Sequence, residues 1–128
     1  MAGPEAVADQ RAALVRWLVE QTDDATLVLG WSDDAEGRAI SAGGDPADMS
    51  GTWVAHVWAD VDDASAGRDP EFEVTVAVSG TSNETTTFTA AAADVLALGP
   101  GTFWWAAKKD GETMVKGQFQ VDAGAVFP

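Results

Sequence analysis

The sequence has 128 residues and a mass of 13.3 kDa, one domain's worth, and 46% of it is hydrophobic, enough to fill a core rather than leave a disordered tail. Seven Lys and Arg stand against 21 Asp and Glu, a net charge of −14 with a pI near 4.1, which excludes a surface built to neutralise the phosphates of nucleic acid or of an anionic membrane. The absence of cysteine removes disulfide scaffolds, thiolate metal sites and Cys nucleophiles, and leaves the redox compartment open.

The N-terminus, Met-Ala-Gly-Pro-Glu, carries neither a basic region nor a long apolar one, so no secretory signal is expected. The longest apolar runs fall far short of the ~20 residues that span a bilayer. The 14 Asp and 7 Glu include the pairs Asp23-Asp24, Asp33-Asp34 and Asp62-Asp63, and Asp favours turns and caps over element interiors. A surface so rich in Asp also fits a high-salt host, where strong net charge keeps proteins soluble.

Residues 4–21 read as an α-helix, with Pro4 in the first turn, Glu5 and Asp9 near the start and no glycine inside. Val7, Leu14, Trp17 and Leu18 fall on one face at about 100° per residue. Gln10 and Arg11 intrude on that stripe, and Val15 and Val19 lie beside it. Two readings follow: a helix closing one end of its own domain, or an arm docking on a neighbouring subunit.

From Thr22 onward the texture turns to short β-rich runs between Gly, Asp, Ser and Pro clusters. Residues 26–31 (Thr-Leu-Val-Leu-Gly-Trp) give the first strand, and residues 32–51 are mostly loop with a short strand at 38–41. In residues 52–60, Trp53, Ala55, Val57 and Ala59 share one face while Val54, His56 and Trp58 share the other. A strand apolar on both sides is central and covered, or sits under a helix or a partner. Residues 71–79 alternate cleanly, with Phe72, Val74, Val76 and Val78 inward. After turn chemistry at 80–84 come a threonine-rich strand at 85–89 and one or two helical turns at 90–98, ended by Gly99-Pro100-Gly101. Strands at 102–109 and 113–121 flank Asp110-Gly111, a strong hairpin signal.

The sequence carries few groups arranged for chemistry. His56 is the only histidine and sits mid-strand, where a hydrogen-bonded structural role outweighs a general base. No serine has the G-x-S-x-G setting of a nucleophile elbow, and no G-x-G-x-x-G or Walker sequence cradles a nucleotide. Carboxylates are so abundant that a glycosidase-like pair would arise by accident. Residues 60–69 begin like a calcium loop, but Ser65 stands where an EF-hand needs Gly, although Glu71 satisfies the twelfth position. Asn83-Glu84-Thr85 matches the glycosylation acceptor pattern without a signal peptide to use it. The expectation is no enzyme, no cofactor and no assigned metal ligand.

Six tryptophans without a tyrosine make an uneven aromatic set. Adjacent Trp104 and Trp105 must point to opposite faces of one sheet, so one fills the core and the other is covered or exposed. Three readings stay open for the outward one: cover by the N-terminal helix, a hot spot in a protein interface, or a carbohydrate-stacking platform. By this exposure logic Trp17, Leu18, Trp104 and Trp105 are the candidate partner-binding residues.

Residues 93–105 (Ala-Asp-Val-Leu-Ala-Leu-Gly-Pro-Gly-Thr-Phe-Trp-Trp), then Asp110-Gly111, then residues 115–121 (Val-Lys-Gly-Gln-Phe-Gln-Val), resemble the C-terminal half of small immunoglobulin-like domains of tailed-phage virion proteins, including adaptor modules of baseplates and receptor-binding proteins. That family runs from a turn ending in Leu-x-x-Gly through an aromatic strand and a Gly-tipped hairpin to a strand carrying Gly-x-Phe-x-Val. Residues 51–57 look like its earlier core strand, and the likeness covers about half of the chain in order.

Adaptor modules continue into a fibre or coiled coil, whereas this sequence reads to Pro128 and adds an N-terminal helix. The resemblance therefore implies an accessory subunit, such as a capsid decoration protein or a small neck, tail or baseplate component. The acidic surface fits the exterior of a particle, away from the genome.

The expected fold is an immunoglobulin-like antiparallel β-sandwich of roughly seven strands with one N-terminal α-helix, divided into a helix or arm at residues 1–24 and the sandwich at 25–128. The expected role is a non-enzymatic virion structural protein that binds other virion proteins (major capsid, tail or baseplate subunits) and forms a homo-oligomer, with no nucleic-acid or membrane partner. Its expected location is the virion, assembled in the host cytoplasm. The alternative is a carbohydrate-binding β-sandwich, and an acidic mimic of nucleic acid is a further rival.

Overall fold

The computed structural model describes residues 5–7, 13–20, 24–32 and 45–122. The framework is six strands along which more and less buried residues largely alternate. They are β4 (Ala25–Ser32), β5 (Trp53–Trp58), β6 (Phe72–Ser79), β7 (Thr85–Ala90), β8 (Gly101–Lys109) and β9 (Glu112–Asp122). Two short helices interrupt them, α1 (Val61–Ser65) and α2 (Ala92–Leu98). All six strands lie where the β-rich runs predict them, and α2 occupies the predicted helical turns. The strand expected at 38–41 and most of the 32–51 loop lie outside the described residues.

The N-terminal stretch is a correction. Its described residues form β1 (Glu5–Val7), β2 (Ala13–Leu14) and β3 (Trp17–Glu20) in place of the helix expected over 4–21. The reason is visible in the side chains. Val15, Trp17 and Val19 are buried while Leu14, Arg16 and Leu18 are exposed, which is the period of a strand. Both sets are apolar enough to satisfy a helical stripe as well, and the free edge of β9 supplies the hydrogen bonds that decide between them.

The strands follow the order β1-β4-β7-β6-β5-β8-β9-β2, with β3 continuing β2 along β9. Pairing through the middle is antiparallel, whereas β1 on β4 and β2 and β3 on β9 are parallel. One N-terminal segment thus lines both ends of the order, and the sheet is wound nearly into a barrel. β6 makes the bend: Phe72–Val74 pair with β5, and Thr75–Ser79 pair with β7.

Inside runs a chain of aromatic rings. Trp31, Trp53, Phe88, Trp105, Trp17 and Phe119 succeed one another at centroid distances of 6.0, 5.9, 5.2, 5.1 and 5.0 Å, mostly edge to face. Such pairs add about 0.5–1.5 kcal/mol each beyond the area they bury. Two of the buried indoles donate to fixed acceptors: Trp31 Nε1 to Thr86 Oγ1 at 2.8 Å and Trp105 Nε1 to the Val15 carbonyl at 3.0 Å. Residues 45–50 close one end. Ala47 and Met49 are buried, with their N–H groups on the carbonyls of Trp31 and Asn83. Between them the exposed Asp48 carboxylate accepts from the Ser50 hydroxyl and N–H, which holds it below its ordinary pKa.

β8 and β9 meet at Asp110-Gly111, both left-handed at φ 51° and 86°, which is the two-residue hairpin the dipeptide predicts.

Candidate functional site

Strand parity sends Val54, His56 and Trp58 of β5 and Trp104, Ala106 and Lys108 of β8 to the outer face of the sheet. Trp58 and Trp104 are direct cross-strand partners there, and His56 pairs with Ala106. The row through His56 reads Glu73, His56, Ala106, Lys116 and Leu14 across five strands. None of this apolar surface is overlaid by another strand among the described residues. It forms the floor of an open groove of about 870 Å³. That volume lies inside the range of about 300–1,000 Å³ common to ligand sites.

Both ends of the groove are built firmly. At one end Asp60 caps α1, its Oδ1 accepting from Asp63 N at 2.8 Å, and α1 packs against β5 and β8. Arg68 Nη1 then holds Asp63 Oδ1 at 2.9 Å, while Trp58 Nε1 donates to the Arg68 carbonyl at 3.0 Å and ties this rim to the floor. At the other end the hairpin residue Asp110 bonds Thr52 twice: its N–H to the Thr52 carbonyl at 2.8 Å, and its Oδ1 accepting from Thr52 N at 3.0 Å.

His56 lies edge-on to Trp58, with centroids 5.6 Å apart, and its Nε2 is 3.9 Å from Glu73 Oε2. Its side chain is 28% exposed and faces these two groups. The carboxylates considered for calcium have other work, since Asp60 caps a helix and Asp63 pairs with Arg68. Among the described residues no group of three or more His, Asp and Glu side chains is placed to hold a metal ion, and no helix is long and apolar enough to cross a membrane.

The four candidate contact residues separate. Trp104 is half-buried in the groove and Leu18 is 59% exposed on the same outer face, opposite Gln120 of β9. Trp17 and Trp105 are corrections: at 2% and 0% exposure they belong to the core, 5.1 Å apart. Trp58, Lys108 and Lys116 join the site only in the folded structure. The signal for Trp58 was present, because residues 52–60 read as apolar on both faces. The lysines give no such signal singly; strand parity is what brings them to one side.

No protein-family model matches the chain, and no curated protein is significantly similar to it.

Proposed function

We propose that this chain is a non-enzymatic interaction subunit, an accessory protein of a phage virion that binds a repeated site on the particle exterior through the outer face of β5, β8 and β9. The observation that carries the binding role is the uncovered pair Trp58 and Trp104, set in an open groove whose two ends are braced by hydrogen bonds. Half-buried tryptophans in a fixed concave surface are the side chains that anchor protein interfaces. Trp104 and Leu18 are the residues on which we place the contact.

The virion assignment rests on the resemblance, and three features support it. Leu96 to Gly99 ends α2, Gly111 tips a tight hairpin, and Gly117-x-Phe119-x-Val121 forms the last strand. We read the fold as an immunoglobulin-like sandwich in which β1, β4, β7 and the second half of β6 form one layer and the other strands form the second. The partners are then major capsid, tail or baseplate subunits, and the subunit is a homo-oligomer.

Mass spectrometry of particles purified from the expressing culture tests this directly, with the chain expected at a fixed ratio to the other virion proteins. Recombinant chain is expected to rebind particles that lack it, and Trp104→Ala to weaken rebinding by at least about tenfold, as loss of an interface hot spot does. Thr87→Ala on the opposite outer face should bind normally. A chain absent from the particles overturns the assignment.

The cross-strand Trp58 and Trp104 also favour a second reading, a carbohydrate platform. Quenching of tryptophan fluorescence by soluble glycans, lost in Trp104→Ala, is its expected signature.

A further inference from the structure

The groove inverts the charge balance of the molecule. Over the whole chain acidic residues outnumber Lys and Arg by 21 to 7, three to one. The residues lining the groove include Arg68, Lys108 and Lys116 against one carboxylate, Asp110, while Asp63 and Glu73 stand at its margin beside Arg68 and His56. Of the four lining groups, Arg68 is paired with Asp63 and Asp110 lies 3.6 Å from Lys109 Nζ, whereas Lys108 and Lys116 are in no ion pair among the described residues. Farther along β9 the face carries both signs: Arg16 is exposed on the edge strand and its guanidinium donates to Gln120, whose amide in turn lies 3.5 Å from the Asp122 carboxylate. Leu14, across from Lys116, and Leu18 flank Arg16 with apolar surface that is 75% and 59% exposed.

We propose that the groove docks an extended acidic segment of a partner protein, with carboxylates on Lys108 and Lys116 and an apolar side chain against Trp58 and Trp104. The inference rests on the groove being the contact face proposed above, and is independent of the virion assignment. Length supports it: from Thr52 to Trp58 the floor runs about 20 Å at ~3.3 Å per residue, room for a short strand-like segment. Charge selects the occupant. A second copy docking by the same face would set lysine against lysine, and a nucleic acid, which binds through many phosphate contacts, would find only Lys108 and Lys116 unpaired in the groove.

This arrangement has an unusual salt signature. At about 10 mM ionic strength the Debye length is ~30 Å, so an acidic probe senses the whole anionic molecule and is repelled. At about 0.1 M it falls to ~10 Å and the probe senses the lysines of the groove; at about 1 M, with ~3 Å, it senses neither. Affinity is therefore expected to peak near 0.1 M salt.

The test is fluorescence anisotropy with a labelled decapeptide of alternating Glu and Leu carrying one central Phe. A Gln-for-Glu version and a sulfated oligosaccharide serve as comparators. The expected result at about 0.1 M salt is binding at least about tenfold tighter for the Glu peptide than for the Gln peptide, with the salt maximum above. The exposed-site variant Lys108→Gln/Lys116→Gln should abolish that preference and leave the Gln peptide unchanged, while Trp104→Ala should weaken both. Equal binding of the two peptides, tighter binding of the sulfated oligosaccharide, no peptide binding, or affinity falling steadily from low salt would each overturn the proposal. If peptides fail to bind while Trp104→Ala still impairs particle rebinding, the acidic occupant is wrong and the contact face stands. If the Glu peptide binds as expected but the chain is absent from particles, the virion assignment is wrong and the groove proposal stands.

Discussion

Gly117 is held in place by one distance. A Cβ built on it would lie 2.0 Å from the Val15 carbonyl oxygen, the same oxygen that accepts the Trp105 indole N–H. Val15 N in turn donates to the Lys116 carbonyl at 2.9 Å, so the edge strand presses against β9 at this point. Gly117→Ala must push that strand away and is expected to cost at least about 2 kcal/mol in urea unfolding. Gly111 is a different case, because a Cβ there meets nothing within 4 Å and the only penalty is its φ of 86°. Gly111→Ala should cost about 1–2 kcal/mol with no change in the core, which near-ultraviolet circular dichroism would show. Thr86 makes a third test. Its hydroxyl is fully buried against Trp31 Nε1, so Thr86→Val keeps the volume, strands the indole N–H and should cost about 1–3 kcal/mol by thermal unfolding.

Among the elements, β3 carries more than its four residues suggest. Trp17 packs edge to face on Trp105 and Phe119 at 5.1 and 5.0 Å, and Val15 and Val19 are buried beside it. Each such side chain contributes about 1.5–3 kcal/mol when buried, and the total stability of a domain is about 5–15 kcal/mol. Removing residues 1–22 is therefore expected to unfold the chain or to lower its melting temperature sharply. A folded truncated monomer in light scattering and circular dichroism would contradict this packing. The helical expectation for this stretch failed for a physical reason: Leu14 and Leu18 supply a helical stripe, Val15, Trp17 and Val19 supply a strand face, and isolated short helices are marginal without a surface to pack on. β9 offered an edge, and the strand face fitted the core.

At the scale of the whole molecule, charge is sorted by surface. The outer rows Thr26, Thr89, Thr75 and Val28, Thr87, Ala77 are uncharged, the groove lining holds three cations to one carboxylate, and most carboxylates of the described residues lie outside that lining. Self-repulsion at a net charge of −14 opposes compaction, and salt screens it. The melting temperature is expected to rise between about 10 mM and 0.3 M sodium chloride at neutral pH, where the Debye length shrinks from ~30 Å to below ~10 Å. A melting temperature that falls over that range would mean that local ion pairs, not net repulsion, dominate.

The sequence by itself determined β4 to β9, α2 and the Asp110-Gly111 hairpin, because each rests on a local rule: β-rich runs bounded by turn residues, clean alternation in β6, alanine-rich helical turns, or a dipeptide that tolerates left-handed backbone. It also determined that Trp104 and Trp105 face opposite ways, and that residues 52–60 are apolar on both sides. It did not determine which indole of the pair is inside, nor that Trp17 joins the core, since parity has no absolute sign until the sheet closes. Nor did it gather Arg68, Lys108 and Lys116 beside Trp58 and Trp104. Those residues come from segments up to 58 positions apart, and only the pairing of β5 with β8 and β8 with β9 brings their side chains to one face. Tertiary structure decided these points because which face is inside, and which charges become neighbours, depend on contacts between strands that no local pattern encodes.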